Sequence, residues 1–238
     1  MTIQPEKPWL IVRLDDVRGR CNKQDRVCDL LEEYGAPIHL EVIPEDLDEI
    51  GATDLREENS RRSVAVLCHQ HGYRHFNHGT DGRRCEFGDH RGFENQFEDL
   101  SAGKEQLATL LGETFEPIFS PPWNRYGKTT LDAAKAAGLQ GMSVLWKEGG
   151  DTHPQFPIIP FTLDPVRWKP TPVHQPWQRT LEELLDSMEK EGSAGLQLHH
   201  EVMDTDDFDG LKNTLAELVN NGVQFPPMGD LLAGWRGF

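Results

Sequence analysis

Two hydrophobic periods alternate along this chain. Short runs rich in β-branched and aromatic residues, bounded by Gly, Pro or acidic pairs, predict strands; longer runs with apolar residues three and four apart, closed by Gly, predict helices. Trp9–Asp16 (WLIVRLDD) is a strand on this pattern, RVCDLLEEYG a helix, and Ala36–Pro44 (APIHLEVIP) and Ser63–Gln70 (SVAVLCHQ) two further strands. FENQFEDLSAGKEQLATLLG predicts a long amphipathic helix, Phe115–Trp123 (FEPIFSPPW) a strand stopped by two prolines, and GKTTLDAAKAAG a helix. Gly141–Trp146 and Phe156–Asp164 are strands, TLEELLDSMEKEG a helix, Ala194–His200 a strand, FDGLKNTLAELVNNG a helix, and VQFPPMGDLLAGW a short strand with a helical turn. Strands alternating with helices predict an α/β fold with a parallel sheet under helices. Seven or eight strands at this length suit a (β/α) barrel better than an open sheet. No repeat, low-complexity tract or linker divides the chain, so one domain over residues 1–238 is expected.

The polar residues gather where the strands end. Asp15 and Asp16 close the first strand, His71 and His75 follow the third, PPWN ends the fourth, and His199 and His200 end the late one. In a parallel barrel these ends share one rim, where active sites form. HGYRH places two imidazoles four residues apart; on a helical turn both would face one way and bind one metal. Two imidazoles and a carboxylate make a common ligand set for zinc or iron, and Asp15 or Asp16 supplies the carboxylate. Adjacent residues of an extended strand point to opposite faces, so one acid is expected to ligate and the other to act as base. The same alternation puts Gln197 and His199 on one face of LQLHH and flips His200 to the other, with a strand-end histidine a candidate general acid.

The net charge of −16 argues against a nucleic-acid partner. The chain has no apolar run long enough to span a membrane and no secretory signal at its N-terminus, so a cytoplasmic protein is expected. Its four cysteines, Cys21, Cys28, Cys68 and Cys85, include no CxxC pair and are expected to stay reduced.

These segments resemble the motifs of the NodB-homology polysaccharide deacetylases, carbohydrate esterase family four, and especially a cytosolic bacterial branch of it. RLDD resembles the first motif, HGYRH the second, SPPWN the third, which in the family reads Arg-x-Pro-aromatic, and LQLHH the fifth. TLDPVRW resembles the fourth, an Asp and a Trp that support the acid, with altered spacing. The resemblance implies a distorted (β/α) barrel of about seven strands that hydrolyses an N-acetyl group on a sugar or related amide. It implies Asp15 as catalytic base, Asp16, His71 and His75 as ligands of one divalent metal (zinc first, with iron, cobalt or manganese as alternatives), and His199 as general acid. Trp123 would wall the groove, with Asn124, His78, His153 and His200 as further substrate contacts. The partner is then a small molecule or glycan. The family's third-motif Arg, which holds the base, is Ser120 here, leaving Arg13 or Arg125 to replace it. Two other readings are a degenerate member that binds glycan or protein without hydrolysis, and a metal hydrolase of another amide or ester.

Overall fold

The computed structural model describes residues 7–80, 82–145, 153 and 155–234. Seven parallel strands form the main sheet: β1 (Trp9–Val17), β2 (Ile38–Val42), β3 (Val66–His71), β4 (Phe115–Ser120), β5 (Gly141–Leu145), β6 (Ile158–Phe161) and, late in the chain, β9 (Ser193–Leu198). Their order is β6-β5-β4-β3-β2-β1-β9. The two edges then meet: Thr162 N and Leu163 N donate to Gly195 O at 2.9 and 3.0 Å, and Gln197 N donates to Leu163 O at 2.9 Å. The sheet is thus a nearly closed, distorted barrel, as expected. Between β6 and β9 lies a small antiparallel hairpin, β7 (Val166–Arg167) with β8 (Val173–His174), absent from the hydrophobic pattern because its strands are two residues each.

Helices α1 (Asn22–Glu33), α2 (Glu49–Arg61), α3 (Gly92–Leu111), α4 (Lys128–Ala136), α5 (Trp177–Glu191), α6 (Thr205–Asn220) and α7 (Met228–Gly234) surround the barrel. The pattern misses α2, whose buried face is Gly51, Ala52, Leu55 and Glu58: two small residues, one leucine and one acid make too thin an apolar stripe to read. Asp48 caps it, accepting from Gly51 N. The short strand expected after Gly222 is a single bridge, Trp9 to Gln224. Trp146, expected to end β5, lies outside the described residues.

Strand alternation divides the barrel wall. Leu10, Val12 and Leu14, Ile38, Leu40 and Val42, Val66 and Cys68, and Leu196 and Leu198 point outward into the helical layer, packing with Leu31, Leu184, Leu211 and Leu215. The intervening residues therefore face the lumen. Ile11, Ile118, Ile159, Phe161 and Met228 plug its N-terminal end. Above this plug the lumen turns polar: Arg13, Asp15, His39, Glu41, His69, His71, Ser120, Ser143, Gln197 and His199 are all buried. Burying such groups is costly unless they pair, so the polar lumen is the part of the fold that packing alone does not explain.

None of the four cysteines is in a disulfide, and burial pushes the Cys28 thiol up to about 12 and the Cys68 thiol upward too. A thiol titration in denaturant without reductant is expected to find four thiols, with Cys28 and Cys68 unreactive in the native protein. A count below four would contradict it. No helix among the described residues is long and apolar enough to cross a membrane.

Candidate active site

The acidic pair that ends β1 sits on a bulge. Leu14 pairs with Leu40 and Val17 with Val42, so β1 spends one more residue than β2 across this interval. Asp16 takes φ 64°, a left-handed conformation. The kink overrides simple alternation: Asp15 stays in the lumen and Asp16 swings over the rim toward the histidines. Among the described residues, the non-glycine residues with left-handed φ are Asp16, His75 (52°), Trp123 (58°) and Asn124 (52°). All four belong to this rim, where such strain is characteristically stored.

Asp16 Oδ1 lies 3.0 Å from His75 Nε2 and 3.5 Å from His71 Nε2. The three residues offer ligand atoms all within 4.8 Å of one another. Asp16 Oδ1 is buried with no hydrogen-bond partner, a cost that a cation there would relieve. One carboxylate and two imidazoles suit a zinc-like divalent ion with open positions, so the residues fit the group. Burial opposes ionisation of Asp16, but the imidazoles of His199, His71 and His75 that face it hold its carboxyl far below the usual range.

The spacing of the two histidines does not come from a helical turn. His71 ends β3, and the chain then turns through Gly72 at φ 65°. The buried Glu86 carboxylate accepts from Tyr73 N (3.3 Å) and Arg74 N (2.8 Å), folding the intervening residues so that His75 returns to within 5.2 Å of His71, ring to ring. A Cβ on Gly72 would meet Glu86 Oε2 at 2.2 Å and Pro122 Cγ at 2.6 Å, so only glycine fits. Burial pushes the Glu86 carboxyl up to about 7 against those two N–H groups.

Asp15 is held by Arg13, two residues earlier on the same strand face. Arg13 Nε lies 2.9 Å from Asp15 Oδ1, and Nη2 donates to Asp15 Oδ2 at 3.2 Å. The guanidinium, fully buried, also donates to Ser143 O and Oγ at 2.8 Å each, to Asn124 Oδ1 at 3.0 Å and to Gln197 Oε1 at 3.1 Å, and stacks on Phe161. Arg125 is exposed and donates to Arg84 O. Arg13, and not Arg125, is therefore the cation beside Asp15. Burial still dominates and raises the Asp15 carboxyl above the ordinary aspartate range, against the pull of Arg13, His71 and His199.

His199 faces the cluster. Its Nδ1 lies 3.2 Å from Asp16 Oδ2, and its Nε2 lies 3.6 Å from Asp164 Oδ2. Asp164 accepts from Trp168 Nε1 at 2.9 Å, and the Trp168 ring meets His199 edge-on at 4.7 Å. Arg13 and Asn124 both donate to Gln197 Oε1, so the amide N–H is what Gln197 presents to His199 Nε2, 2.9 Å away. Burial opposes charging of His199, yet Asp16 and Asp164 push it up to about 10.

Trp123 packs tilted against His75, 4.4 Å between ring centres, on the rim where a wall was expected. Asn124 instead turns inward: its carboxamide is taken up by Arg13, Leu145 N and Gln197. His200 is buried with Nδ1 unpartnered, and burial lowers its pKa. His78 packs on Phe76, and burial and Arg91 lower its pKa. His153 pairs with Asp132 on α4 at 3.3 Å. The structure thus brings together Asp15, Asp16, His71, His75, His199 and Trp123, and gives Asn124, His78 and His153 other partners. Sequence reasoning missed Gln197, Ser143, Glu41 and Glu86. Their one visible signal is a polar residue at an inward position of a strand, or, for Glu86, nothing local at all.

No family model matches the chain, and no curated protein matches it. Solved structures do. The T48 deacetylase with substrate superimposes with a TM-score of 0.62 at 16% identity, over 98% of this chain and 94% of the other. A family 4 acetyl xylan esterase from Clostridium thermocellum, in complex with a cobalt ion, gives 0.62 at 13% identity, over 94% and 90%. A mutant of a CE4 family pseudoenzyme gives 0.64 at 13% identity, over 96% and 68%. The chain has the fold of these deacetylases and esterases, and that fold is shared by a protein described as a pseudoenzyme.

Proposed function

We propose that this chain is a metal-dependent hydrolase that removes an N-acetyl group from a sugar or related amide. The observation that carries the reading is the Arg13–Asp15 pair set beside the Asp16–His71–His75 triangle, with His199 across from it. Asp16, His71 and His75 would hold one divalent ion, zinc first by donor set. When bound, such an ion polarises an amide carbonyl and lowers the pKa of water from 15.7 to about 7.

The chain's own residues divide the remaining work. Asp15, with its carboxyl raised by burial, accepts the proton of the attacking water. Arg13 keeps that carboxylate in place and unavailable as a ligand. His199 donates its Nδ1 proton to the departing nitrogen, so that water and amide leave as acetate and amine. Trp123 on one side and Trp168, 44% exposed, on the other offer apolar faces to a sugar ring or acyl methyl and keep solvent off the cleft. Zinc, the cytoplasmic location and the glycan as partner belong to this proposal.

A degenerate, non-hydrolysing relative was suggested by Ser120 in place of the family's arginine. Arg13, paired with Asp15, speaks for hydrolysis instead. Purified protein is expected to carry about one divalent ion per chain, lost in His71→Ala. It is expected to release acetate from at least one member of a panel of N-acetylated sugars and amides, with activity abolished by a chelator and restored by zinc or cobalt. Bound metal without acetate release from any of them would favour the non-hydrolytic reading, and release from esters alone would favour another hydrolase.

A further inference from the structure

Behind His71 the lumen wall carries Glu41, His69 and Ser120, which the reaction just described does not use. Its members occupy register positions: Glu41 lies beside His69 across β2 and β3, and His71 beside Ser120 across β3 and β4. His71 Nδ1 is 2.9 Å from Ser120 Oγ. Ser120 Oγ donates to Glu41 Oε2, and Glu41 Oε1 lies 2.9 Å from His69 Nδ1. His69 Nε2 lies 3.2 Å from Glu116 Oε2. Glu41, His69 and Ser120 are completely buried. A carboxylate sealed in a barrel wall costs stability, which calls for a task.

The polarity of this chain has one self-consistent direction. Glu41 ionised is an acceptor only, so the Ser120 hydroxyl must point its proton at Glu41. Its lone pairs then face His71, which must carry hydrogen on Nδ1. In the neutral ring that leaves Nε2, the nitrogen turned to Asp16, as the bare lone pair a metal needs. Were the hydroxyl reversed, it would donate into Nδ1, put the proton on Nε2 and block the ligand.

We propose that Glu41, acting through Ser120, is a positioning residue that fixes His71 in the Nδ1–H form and aims its Nε2 at the metal site. The proposal rests on the reading of Asp16, His71 and His75 as that site. Outer partners of this kind are typically worth about 10- to 100-fold in metal affinity. Gln at position 41 retains the device, since its amide oxygen accepts from Ser120 while its N–H meets a His69 that has moved its proton to the Glu116 side. Leu at 41 frees the hydroxyl to turn on His71, and Ala at 120 removes the link.

Zinc affinity measured by chelator competition, alongside thermal unfolding, is expected to fall about 10- to 100-fold in Glu41→Leu and Ser120→Ala and to stay near the wild-type value in Glu41→Gln. Ser120→Ala, a small-for-small exchange, serves if Glu41→Leu does not fold. Histidine 15N NMR of metal-free protein, at a pH where His71 is neutral, is expected to show a protonated Nδ1 and bare Nε2 in wild type and Glu41→Gln, and to lose that pattern in Ser120→Ala. Wild-type zinc affinity in Ser120→Ala, or Nε2–H on His71 in the native protein, would overturn the proposal. Absence of zinc binding by wild type would instead overturn the metal-site reading, and the tautomer of His71 would still decide the role of Glu41.

Discussion

Asp15→Asn is expected to lower turnover about 100- to 10,000-fold, the usual range for removing a positioned general base, with the metal still bound. Asn keeps the size of the side chain and an oxygen for Arg13 but cannot accept the proton. The metal should stay because Asp16, His71 and His75 form a separate triangle, reached by the bulge that turns Asp16 away from Asp15. Metal content and turnover measured on one preparation decide the matter. Near-normal turnover would take the base role from Asp15, and loss of metal would make Asp15 part of the coordination.

Arg13 provides a control with the opposite stability signature. Arg13→Met leaves the Asp15 carboxylate buried without its cation, and breaking such a pair costs about 3–5 kcal/mol. The Arg13→Met, Asp15→Asn double variant removes both charges and should recover most of that loss in a denaturant melt while remaining inactive. If Arg13→Met were as stable as wild type, the pair would be a rim contact and not the centre of the lumen.

How much of this was legible in the chain depends on the range of each signal. The main strands announced themselves because their outward faces are apolar and packed under helices: Leu, Val and Ile on β1, β2, β3 and β9, and Phe119, Met142 and Val144 on β4 and β5. Helix α2 did not, because Gly51, Ala52 and Glu58 bury without looking apolar. The candidate ligands were legible because the topology of a parallel barrel places strand ends together, whatever lies between them. The reason given for HGYRH was local and wrong in kind. The histidines converge through Gly72 and a carboxylate fourteen residues downstream, Glu86, and no local period encodes that contact. That Arg13 and not Arg125 lies beside Asp15 could be offered only as one of two options, since it is settled by which side chain the barrel encloses. Nor could the strand pattern alone say whether Leu196 and Leu198 face lumen or helices; their packing with the helical layer is what turns Gln197 and His199 inward.

That orientation makes the pH dependence of His199→Ala the sharpest remaining test. A general acid must be protonated to act, so turnover should fall as pH rises through the His199 pKa, while the base limb should climb through that of Asp15, above the ordinary aspartate value. Asp16 and Asp164 push His199 up to about 10, but two effects on the site pull it back. The Gln197 N–H aimed at Nε2 favours the neutral ring, and a cation on Asp16 takes up the charge that His199 otherwise pairs with. The alkaline limb of the metal-loaded protein is therefore expected between the unperturbed 6.5 and about 10. His199→Ala should abolish that limb, lower turnover about 100-fold or more, and leave the metal in place. In metal-free protein the same pairing has a stability signature. A histidine whose folded pKa is raised contributes fully below its unfolded value and loses the contribution as pH climbs through the folded one. Wild type should thus lose stability relative to His199→Ala as pH rises from about 6.5 toward 10. His200→Ala, which removes a ring with no partner on Nδ1, should move neither limb. An alkaline limb that survives in His199→Ala and vanishes in His200→Ala would hand the acid role to His200.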